Sequence, residues 1–453
     1  MPSARQQLLD LIDTPDPFDV AASEIAPLQL AAARELFAEQ SGRIAVLRRR
    51  AGESSVREIA SLADLVPLLF AHTVYKSYPA SFLEQGRWDR LLAWLQTLSA
   101  RSLAGVDVAG VVDADDWIAR LEAAGHHVLA TSGTSGKCSF LTHAPEDFDR
   151  KLRHWRRAMG WPWLTPAADR PFFSLGPSAG PSSVIEAAII AARVWAPPGD
   201  AHFLTADPLR ISDVATGQAM RRRMAEGLAA PGEIAAFERG EAERAGRMTE
   251  AVRAFADEVL ARRHEPMTLT GLWSQHLALI GRARELGVPD GDFHPQSCVG
   301  AGGGVKGVTL PPDYREQVDR FYGPVVRTSG YGMTEMAQMM VRCEARRYHR
   351  APGLVLLILD QPGERLLTEA DAVDGRVTGR FAFLDLAIEG RWSGLISGDR
   401  VTVDFGPCPC GRHGPTLLED IARWAEPGAD DHIGCAGTID AYVRGALAQE
   451  RAT

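Results

Sequence analysis

The sequence has few cysteines, no long apolar run and no surplus of positive charge. Six cysteines in 453 residues are too sparse for a disulfide scaffold, so a reducing compartment is expected. No segment approaches the roughly 18 apolar residues that cross a bilayer, and no basic start followed by an apolar stretch indicates a signal peptide. The formal net charge of -9 argues against nucleic acid, whose phosphate backbone requires excess Lys and Arg. We therefore expect a cytoplasmic protein without a membrane or nucleic-acid partner.

Lysine is also scarce, because arginine carries almost all of the positive charge. Lysine occurs only at positions 76, 137, 151 and 306. Lys137 and Lys306 both lie in glycine-rich segments. Against this background, each lysine is a stronger functional candidate than it would be in a lysine-rich chain.

The hydrophobic pattern predicts an α/β protein. Residues 1–125 are predicted to be mainly helical. Asp113, Asp115 and Asp116 are candidate N-caps of the helix "WIARLEAAG", and Gly125 is its candidate C-cap. Residues 126–420 alternate short apolar runs with amphipathic helices and are predicted to form the α/β core. Within that core, residues 217–264 are rich in Ala, Glu and Arg and are predicted to be solvated helices.

The stretch "ATSGTSGKCSF" (130–140) combines glycines, hydroxyl side chains and a lysine after a short apolar run. Such a segment suits a polyphosphate, because glycine lets backbone N–H groups approach the anion while hydroxyls and lysine supply hydrogen bonds and charge. It is not the mononucleotide P-loop, which would need glycine at 131 and Ser or Thr at 138, where this chain has Thr131 and Cys138. The alternative for this stretch, taken alone, is a flexible polar turn.

Three further stretches follow it along the chain. "VGAGGGVKG" (299–307) is a second glycine-rich turn, and "SGYGMTEM" (329–336) groups an aromatic ring, a hydroxyl and a carboxylate. "LISGDR" (395–400) ends an apolar run in Gly-Asp. In this order, the four stretches resemble the core motifs of the adenylate-forming (AMP-binding) enzymes, the superfamily of acyl-CoA synthetases and adenylation domains.

Within that superfamily, the chain resembles two groups over roughly residues 70–440. "CPCGR" is similar to phenylacetate-CoA ligases, while "YKSYP", "GGGVKG" and "YGMTE" look like the acyl-protein synthetases of bacterial luminescence. The resemblance implies the large N-terminal domain of these enzymes, with packed mixed sheets flanked by helices. Most of these enzymes also carry a mobile C-terminal domain. Here the chain departs from the family: that domain is expected to be missing or vestigial, with residues 421–453 as a hinge-like stub in its place.

The resemblance assigns a nucleotide-binding role to each motif. The segment Thr131, Ser132, Gly133, Thr134, Ser135, Gly136 and Lys137 would hold the β- and γ-phosphates of ATP, and Gly302, Gly303 and Gly304 would lie against the adenine and the acyl substrate. Tyr331, followed by Gly332, would stack on the adenine, Thr334 would bind the α-phosphate and Glu335 would hold Mg²⁺. Asp399 would accept both ribose hydroxyls, and Arg423, in "IARW" where the family usually has Gly-Arg, would contact the ribose or the α-phosphate.

These roles imply ATP-dependent adenylation of a carboxylic acid, followed by acyl transfer to a thiol or amine such as CoA, a carrier protein or a protein cysteine. Two alternatives remain open: a degenerate ATP- or AMP-binding partner subunit, and an adenylating enzyme that acts on a nucleophile other than a carboxylate. "FFSLGPSAGPSSVIEA" and "GLWSQHLALI" are predicted to line the acid pocket, and their composition indicates an apolar or aromatic substrate. A homodimer is also left open.

The family's C-terminal domain supplies a lysine to the α-phosphate, and the sequence has no lysine beyond Lys306. Lys306 is therefore the preferred catalytic substitute, with Lys137 or an arginine as the alternatives. Arginine would replace a compact ammonium only imperfectly. Cys435 is a candidate acyl acceptor, although a lone cysteine is more often simply buried.

A cysteine–histidine set predicts a structural Zn²⁺ site. Cys343 and His349 follow the Y-G-M-T-E stretch, and Cys408 and Cys410 follow the Gly-Asp strand. Three thiolates and one imidazole form a closed tetrahedral donor set. The alternative is four unligated residues near a surface, with His413 as a substitute ligand.

Overall fold

The computed structural model describes residues 2–131, 137–302 and 310–424. The chain forms two compact units. Among the described residues, the first unit comprises 2–131, 139–158 and 330–424, and the second comprises 137–138, 159–302 and 310–329.

Twelve α-helices lie in the described residues, six of them within the first 125 residues. In chain order they are α1 (Ala4–Asp10), α2 (Ala22–Ser41), α3 (Ala45–Glu53), α4 (Ser81–Glu84), α5 (Trp88–Gln96), α6 (Ala114–Ala123), α7 (Pro145–Ala158), α8 (Ser183–Trp195), α9 (Ile211–Ala225), α10 (Pro231–Ala261), α11 (Trp273–Glu285) and α12 (Tyr314–Tyr322). The predicted caps of α6 are present: Asp113 accepts a hydrogen bond from the backbone N–H of Asp116 at 2.9 Å, and Gly125 has a φ of +83°.

The strands are short at the chain's start and longest near its end. They are β1 (Phe70–Ala71), β2 (His127–Ala130), β3 (Phe140–His143), β4 (Phe172–Pro177), β5 (Ala201–Thr205), β6 (Thr268–Leu272), β7 (Cys298–Gly302), β8 (Val326–Thr328), β9 (Gly330–Tyr331), β10 (Met340–Arg342), β11 (Tyr348–His349), β12 (Leu354–Leu359), β13 (Leu366–Leu367), β14 (Arg376–Asp385), β15 (Gly394–Asp404), β16 (Thr416–Leu417) and β17 (Ala422–Arg423).

In the first unit, the described strands form a sheet in the order β13-β12-β14-β15-β16-β11-β10-β9, with β1 and β17 also paired to β15. β1 runs parallel to β15, whereas the other pairs are antiparallel. A separate antiparallel hairpin joins β2 and β3. The apolar run "LVLLIL" of β12 is almost entirely buried, as expected for a central strand covered on both faces.

In the second unit, five described strands form a wholly parallel sheet in the order β5-β4-β6-β7-β8. Its core packs Phe173 and Leu269 of the strands with Val259, Leu279 and Phe321 of the helices. Most of α10 is exposed and α9 is largely half-buried, with Ile211 its one fully buried residue, so the predicted solvated helices are present in this region. The described residues contain no helix that is long and apolar enough to cross a membrane.

Candidate functional site

Asp399 lies near the middle of β15 and is bound by two predicted site residues. The Tyr331 hydroxyl donates a hydrogen bond to Asp399 Oδ2 at 2.7 Å, and Arg423 Nε lies 3.0 Å from Asp399 Oδ1. The pairing of β15 with β17 places Asp399 directly opposite Arg423. The sheet thus joins the predicted adenine, ribose and hinge residues in one cluster. We call Tyr331, Asp399 and Arg423 the carboxylate cluster.

Tyr331 is fixed by its ring as well as by its hydroxyl. The ring packs edge-on against Phe381 with the ring centroids 5.0 Å apart. Burial and the neighbouring charge of Asp399 hold the pKa of Tyr331 well above its usual range, so the phenol stays protonated and donates. Gly332 follows it in an exposed position, where an added Cβ would lie 3.2 Å from the Met339 Cβ.

Thr334 and Glu335 follow in the turn that leaves β9. The turn is held by Asp385, a fully buried carboxylate on β14 that accepts hydrogen bonds from the backbone N–H groups of Ala337 at 2.7 Å and Gln338 at 2.9 Å. A carboxylate with several backbone donors is a strong, directional anchor. The backbone that carries Glu335 is therefore tied to the central sheet.

Opposing effects act on the Glu335 carboxyl. Burial is the largest effect and holds its pKa above the usual value, although a hydrogen bond to its own backbone and the positive charges of Arg391, Arg423 and Lys76 act to lower it. When a ligand binds, a metal cation could take the place of these positive groups beside the carboxylate, and the positive groups could turn to phosphate oxygens. Because oxygen ligands suit Mg²⁺, Glu335 fits the predicted role of a magnesium ligand.

Sequence analysis did not find Arg391, which is 1% exposed and connects several segments. Its Nη2 donates to the Glu335 carbonyl at 2.8 Å, and its Nη1 donates to the Thr142 carbonyl at 3.1 Å and lies 3.0 Å from His143 Nε2. Its guanidinium also lies 5.6 Å from the centre of the Tyr75 ring. A buried arginine with this many partners fixes the loop of Glu335. The available signal was a charged residue inside the apolar stretch "LAIEGRWSGLI".

The first glycine-rich stretch can be followed only at its two ends. Thr131 and Ser139 close it: the Ser139 N–H donates to Thr131 Oγ1 at 3.0 Å, and the Thr131 N–H donates to the Ser139 carbonyl at 3.1 Å. Lys137 is partly buried. The predicted phosphate ligands Ser132, Gly133, Thr134, Ser135 and Gly136 lie outside the described residues, as do Gly303, Gly304, Lys306 and Cys435.

In the second unit, Gly302 is the last residue of β7, and a Cβ added there would have nothing within 4 Å. β6 lies between β4 and β7, and the three strands are parallel, so their carboxyl ends share one edge of the sheet. The two stretches predicted to line the acid pocket run from β4 into α8 and from β6 into α11. Ligands of parallel α/β sheets characteristically bind at this edge.

The predicted metal ligands converge. The donor atoms of Cys343, His349, Cys408 and Cys410 all lie within 4.8 Å of one another. The Cys343 and Cys408 sulfurs are 3.7 Å apart, and Cys410 Sγ is 3.6 Å from His349 Nε2. Tetrahedral Zn²⁺ with its usual bond lengths would separate two sulfurs by about 3.8 Å and a sulfur from a nitrogen by about 3.6 Å. We call these four residues the cysteine–histidine cluster.

Two similar turns present the thiols. The Cys343 N–H donates to the Arg347 carbonyl and the Cys408 N–H to the Arg412 carbonyl, each at 2.9 Å. The third residue after each of these cysteines is left-handed: Arg346 has a φ of 59° and Gly411 a φ of 88°. The pairing of β11 with β16 brings the two turns together. The sequence thus builds two matching halves of one site.

The charges in the cluster also fit a cation. Burial, together with the neighbouring thiols, raises the pKa of Cys408 to about 12, because several thiolates cannot be held together without positive charge. His413 does not join the four ligands among the described residues. Its Nδ1 lies 2.8 Å from Asp19 Oδ1 instead.

A scan against protein-family models gives no match, and neither does a search of curated proteins. Among solved structures, the chain is similar to an open conformation of a 2-hydroxyisobutyryl-CoA ligase in complex with 2-HIB-AMP and CoA, with a TM-score of 0.53 and 15% identity over 91% of this chain and 73% of that one. The same ligase in the postadenylation state, with R3-HIB-AMP, gives a TM-score of 0.49 and 14% identity over 90% and 69% of the two chains. An acyl-CoA synthetase from Brucella canis gives a TM-score of 0.36 and 15% identity over 64% and 44%.

The first of these likenesses establishes the fold. The described chain has a mixed α/β architecture similar to that of this CoA ligase, so the predicted fold class is confirmed. A fold carries many functions, so the activity has to be argued from the site itself.

Proposed function

We propose that the protein catalyses ATP-dependent adenylation of a carboxylic acid, giving an acyl-adenylate and pyrophosphate, and then passes the acyl group to a thiol or amine acceptor. The observation that supports this most strongly is the carboxylate cluster beside Glu335. One sheet holds Asp399 as a carboxylate for the ribose, the aromatic ring of Tyr331 and the cation of Arg423. The turn that leaves this sheet carries Glu335, the candidate magnesium ligand.

In the proposed reaction, Asp399 gives up its bonds to the Tyr331 hydroxyl and Arg423 and accepts hydrogen bonds from the two ribose hydroxyls instead. Both oxygens of the carboxylate can accept, which suits a vicinal diol. The proposal keeps Tyr331 for the adenine, Thr334 for the α-phosphate, and the segment from Thr131 to Lys137 for the β- and γ-phosphates.

The chemistry requires positive charge more than it requires acid or base groups. One carboxylate oxygen attacks the α-phosphorus, and the bond from that phosphorus to the pyrophosphate oxygen breaks. Both reactants are anions, so positioning and charge stabilisation dominate the catalysis. Mg²⁺, when bound by Glu335, neutralises charge on the phosphate oxygens. Arg391 keeps that carboxylate in place through its hydrogen bond to the Glu335 carbonyl.

We propose that the acid's body, apolar or aromatic, binds at the carboxyl edge of β4, β6 and β7, and that CoA or a carrier protein accepts the acyl group. The cysteine–histidine cluster is proposed to hold a structural Zn²⁺, since its donor set and spacing fit that ion. It leaves no open ligand position, so the ion would stabilise the loops rather than take part in catalysis.

ATP–pyrophosphate exchange tests the proposal. Purified protein with MgATP, labelled pyrophosphate and a panel of aromatic and aliphatic acids is expected to incorporate label only when a suitable acid is present. Omitting the acid or the Mg²⁺ serves as the control. An absence of exchange with every acid, together with no binding of MgATP in calorimetry, would refute the proposed activity.

A further inference from the structure

Lys76 lies beside the strand that carries Asp399. It ends a short 3-10 turn, Val74–Lys76, that follows β1. β1 runs parallel to β15 with Ala71 opposite Ile396, and the His72 N–H donates to the Ile396 carbonyl at 3.0 Å. From Ile396, β15 continues in the same direction to Asp399. The carboxyl end of β1 therefore delivers Lys76 toward the part of the sheet where the carboxylate cluster lies.

The backbone at Lys76 is fixed on both sides. The preceding residue, Tyr75, is 2% exposed and donates its hydroxyl to the Trp392 carbonyl at 2.9 Å. The following residue, Ser77, donates its hydroxyl to the Val74 carbonyl at 2.8 Å and accepts from Trp94 Nε1 at 3.0 Å. A buried ring and a hydroxyl bonded in two directions hold the turn, while the Lys76 side chain itself is only partly buried. The backbone that carries Lys76 is therefore fixed.

Lys76 is one of three positive residues whose charge acts to lower the pKa of Glu335. The other two are arginines with structural partners. Arg391 is bonded to the carbonyls of Glu335 and Thr142, and Arg423 is paired with Asp399. Lys76 differs from both because it offers a compact ammonium on a flexible stem, which can follow an oxygen whose charge and position change during a reaction.

We propose that Lys76 is a catalytic residue that contacts the α-phosphoryl group of ATP during adenylation. The inference rests on the proposed function and names the ammonium group that would stabilise the α-phosphoryl group in that reaction. As the carboxylate oxygen forms its bond to the α-phosphorus, the bond to the pyrophosphate oxygen breaks, and the electron pair leaves with pyrophosphate. No proton changes place. The ammonium donates hydrogen bonds to the non-bridging oxygens, on which charge accumulates in the transition state.

This assignment differs from the prediction of Lys306 made from the sequence, which lies outside the described residues. Lys76 belongs to the same compact unit as Glu335, Asp399 and Arg423. The sequence places it more than 250 residues before Glu335, so only the pairing of β1 with β15 reveals the relation.

The test compares Lys76→Met and Lys76→Gln with Arg87→Gln, a control that removes the same charge from an exposed residue of the first unit. Each protein is measured for folding by thermal denaturation, for MgATP affinity by calorimetry, and for exchange with the acid that is most active with the wild type. Either neutral Lys76 variant is expected to lower kcat by about 10²-fold or more while changing the ATP Kd by less than about 5-fold. The control should stay within about 2-fold of the wild type on both measures.

The two proposals can fail separately. An active wild type with a folded Lys76→Met or Lys76→Gln variant whose kcat stays within about 3-fold of it would overturn the role of Lys76 and leave adenylation standing. A weaker ATP affinity with kcat unchanged would also overturn it, because that would indicate ground-state binding alone. A wild type that neither binds MgATP nor exchanges pyrophosphate would overturn the proposed function, and the role of Lys76 with it.

Discussion

The sheet of the first unit carries two clusters of ionisable side chains that differ in exposure and pairing. In the carboxylate cluster, Arg423 is 48% exposed and each charged group already has a protein partner. In the cysteine–histidine cluster, Cys343, His349 and Cys408 are buried, and the donor atoms face one another. The first arrangement can exchange its internal pairs for a ligand that comes and goes. In the second, the thiolates would repel one another in a buried place unless a permanently bound cation neutralised their charge.

Under the proposed function, one sheet carries a cluster that takes part in catalysis and a second cluster that stabilises the fold. The carboxylate cluster lies on β9, β15 and β17, whereas the cysteine–histidine cluster lies on β11 and in the turns that connect β10 to β11 and β15 to β16. Since β15 contributes to both, its carboxylate Asp399 and the turn after Asp404 are close in sequence. Changes to one cluster should nevertheless affect stability, and changes to the other should affect turnover.

The largest effect is expected from Cys408→Ser. Because the free energy of binding a structural metal is also free energy of folding, we expect loss of the metal and a loss of about 5 kcal/mol or more in the free energy of unfolding. Elemental analysis and denaturant unfolding measure the two quantities. Cys298→Ser changes a buried cysteine outside the cluster and should keep the metal. A wild type without bound zinc, and with a stability insensitive to chelators, would contradict the account.

Glu335→Gln should leave the fold intact and impair turnover. The substitution removes the charge that is proposed to hold Mg²⁺, and we expect exchange to fall by about 10²- to 10³-fold. Glu364→Gln, at an exposed position in the same unit, is the matched control. If both variants exchange pyrophosphate at the wild-type rate, Glu335 has no role in the reaction.

Asp399→Asn should weaken nucleotide binding. Losing a charged acceptor of hydrogen bonds costs about 1.5–3 kcal/mol, so we expect the ATP Kd to rise by about 10- to 100-fold. Asp404→Asn makes the same change in the same strand, at a carboxylate bonded to Arg347 Nη1 at 2.6 Å. The comparison fails if both variants lose affinity equally in calorimetry, since the effect would then reflect the strand and not the site.

The smallest effect is expected from Tyr331→Phe. This change keeps the ring but removes the hydrogen bond to Asp399 Oδ2. Because this hydroxyl is proposed to leave Asp399 when the ribose binds, its removal should change the ATP Kd by only about 5-fold or less. Tyr331→Ala should lose more affinity because the ring itself is gone. Equal affinities for the two variants would exclude stacking on the adenine.

Much of the fold follows from local sequence. The helix α6 begins at a capping aspartate and ends before a glycine, and β12, β14 and β15 are apolar runs that can be recognised without any partner. The cysteine–histidine cluster was also predictable, because only a few residues in the chain can bind a soft cation and they occur in two short groups.

The remaining parts of the site depend on contacts between distant segments. β1 is two residues long, too short to be predicted, yet its pairing with β15 is what ties the segment before Lys76 to the strand that carries Asp399. The position of Arg391 was hidden because a buried arginine depends on partners such as the Thr142 and Glu335 carbonyls, which lie far from it in sequence. The hydrogen bond between Tyr331 and Asp399 spans 68 positions for the same reason.

Attack on the α-phosphorus of ATP is most directly tested with an acid whose carboxylate carries ¹⁸O. After turnover with hydroxylamine as the acyl acceptor, mass spectrometry of the nucleotide product should find AMP that contains one oxygen from the acid. Unlabelled AMP, or ADP with the label in inorganic phosphate, would contradict the account.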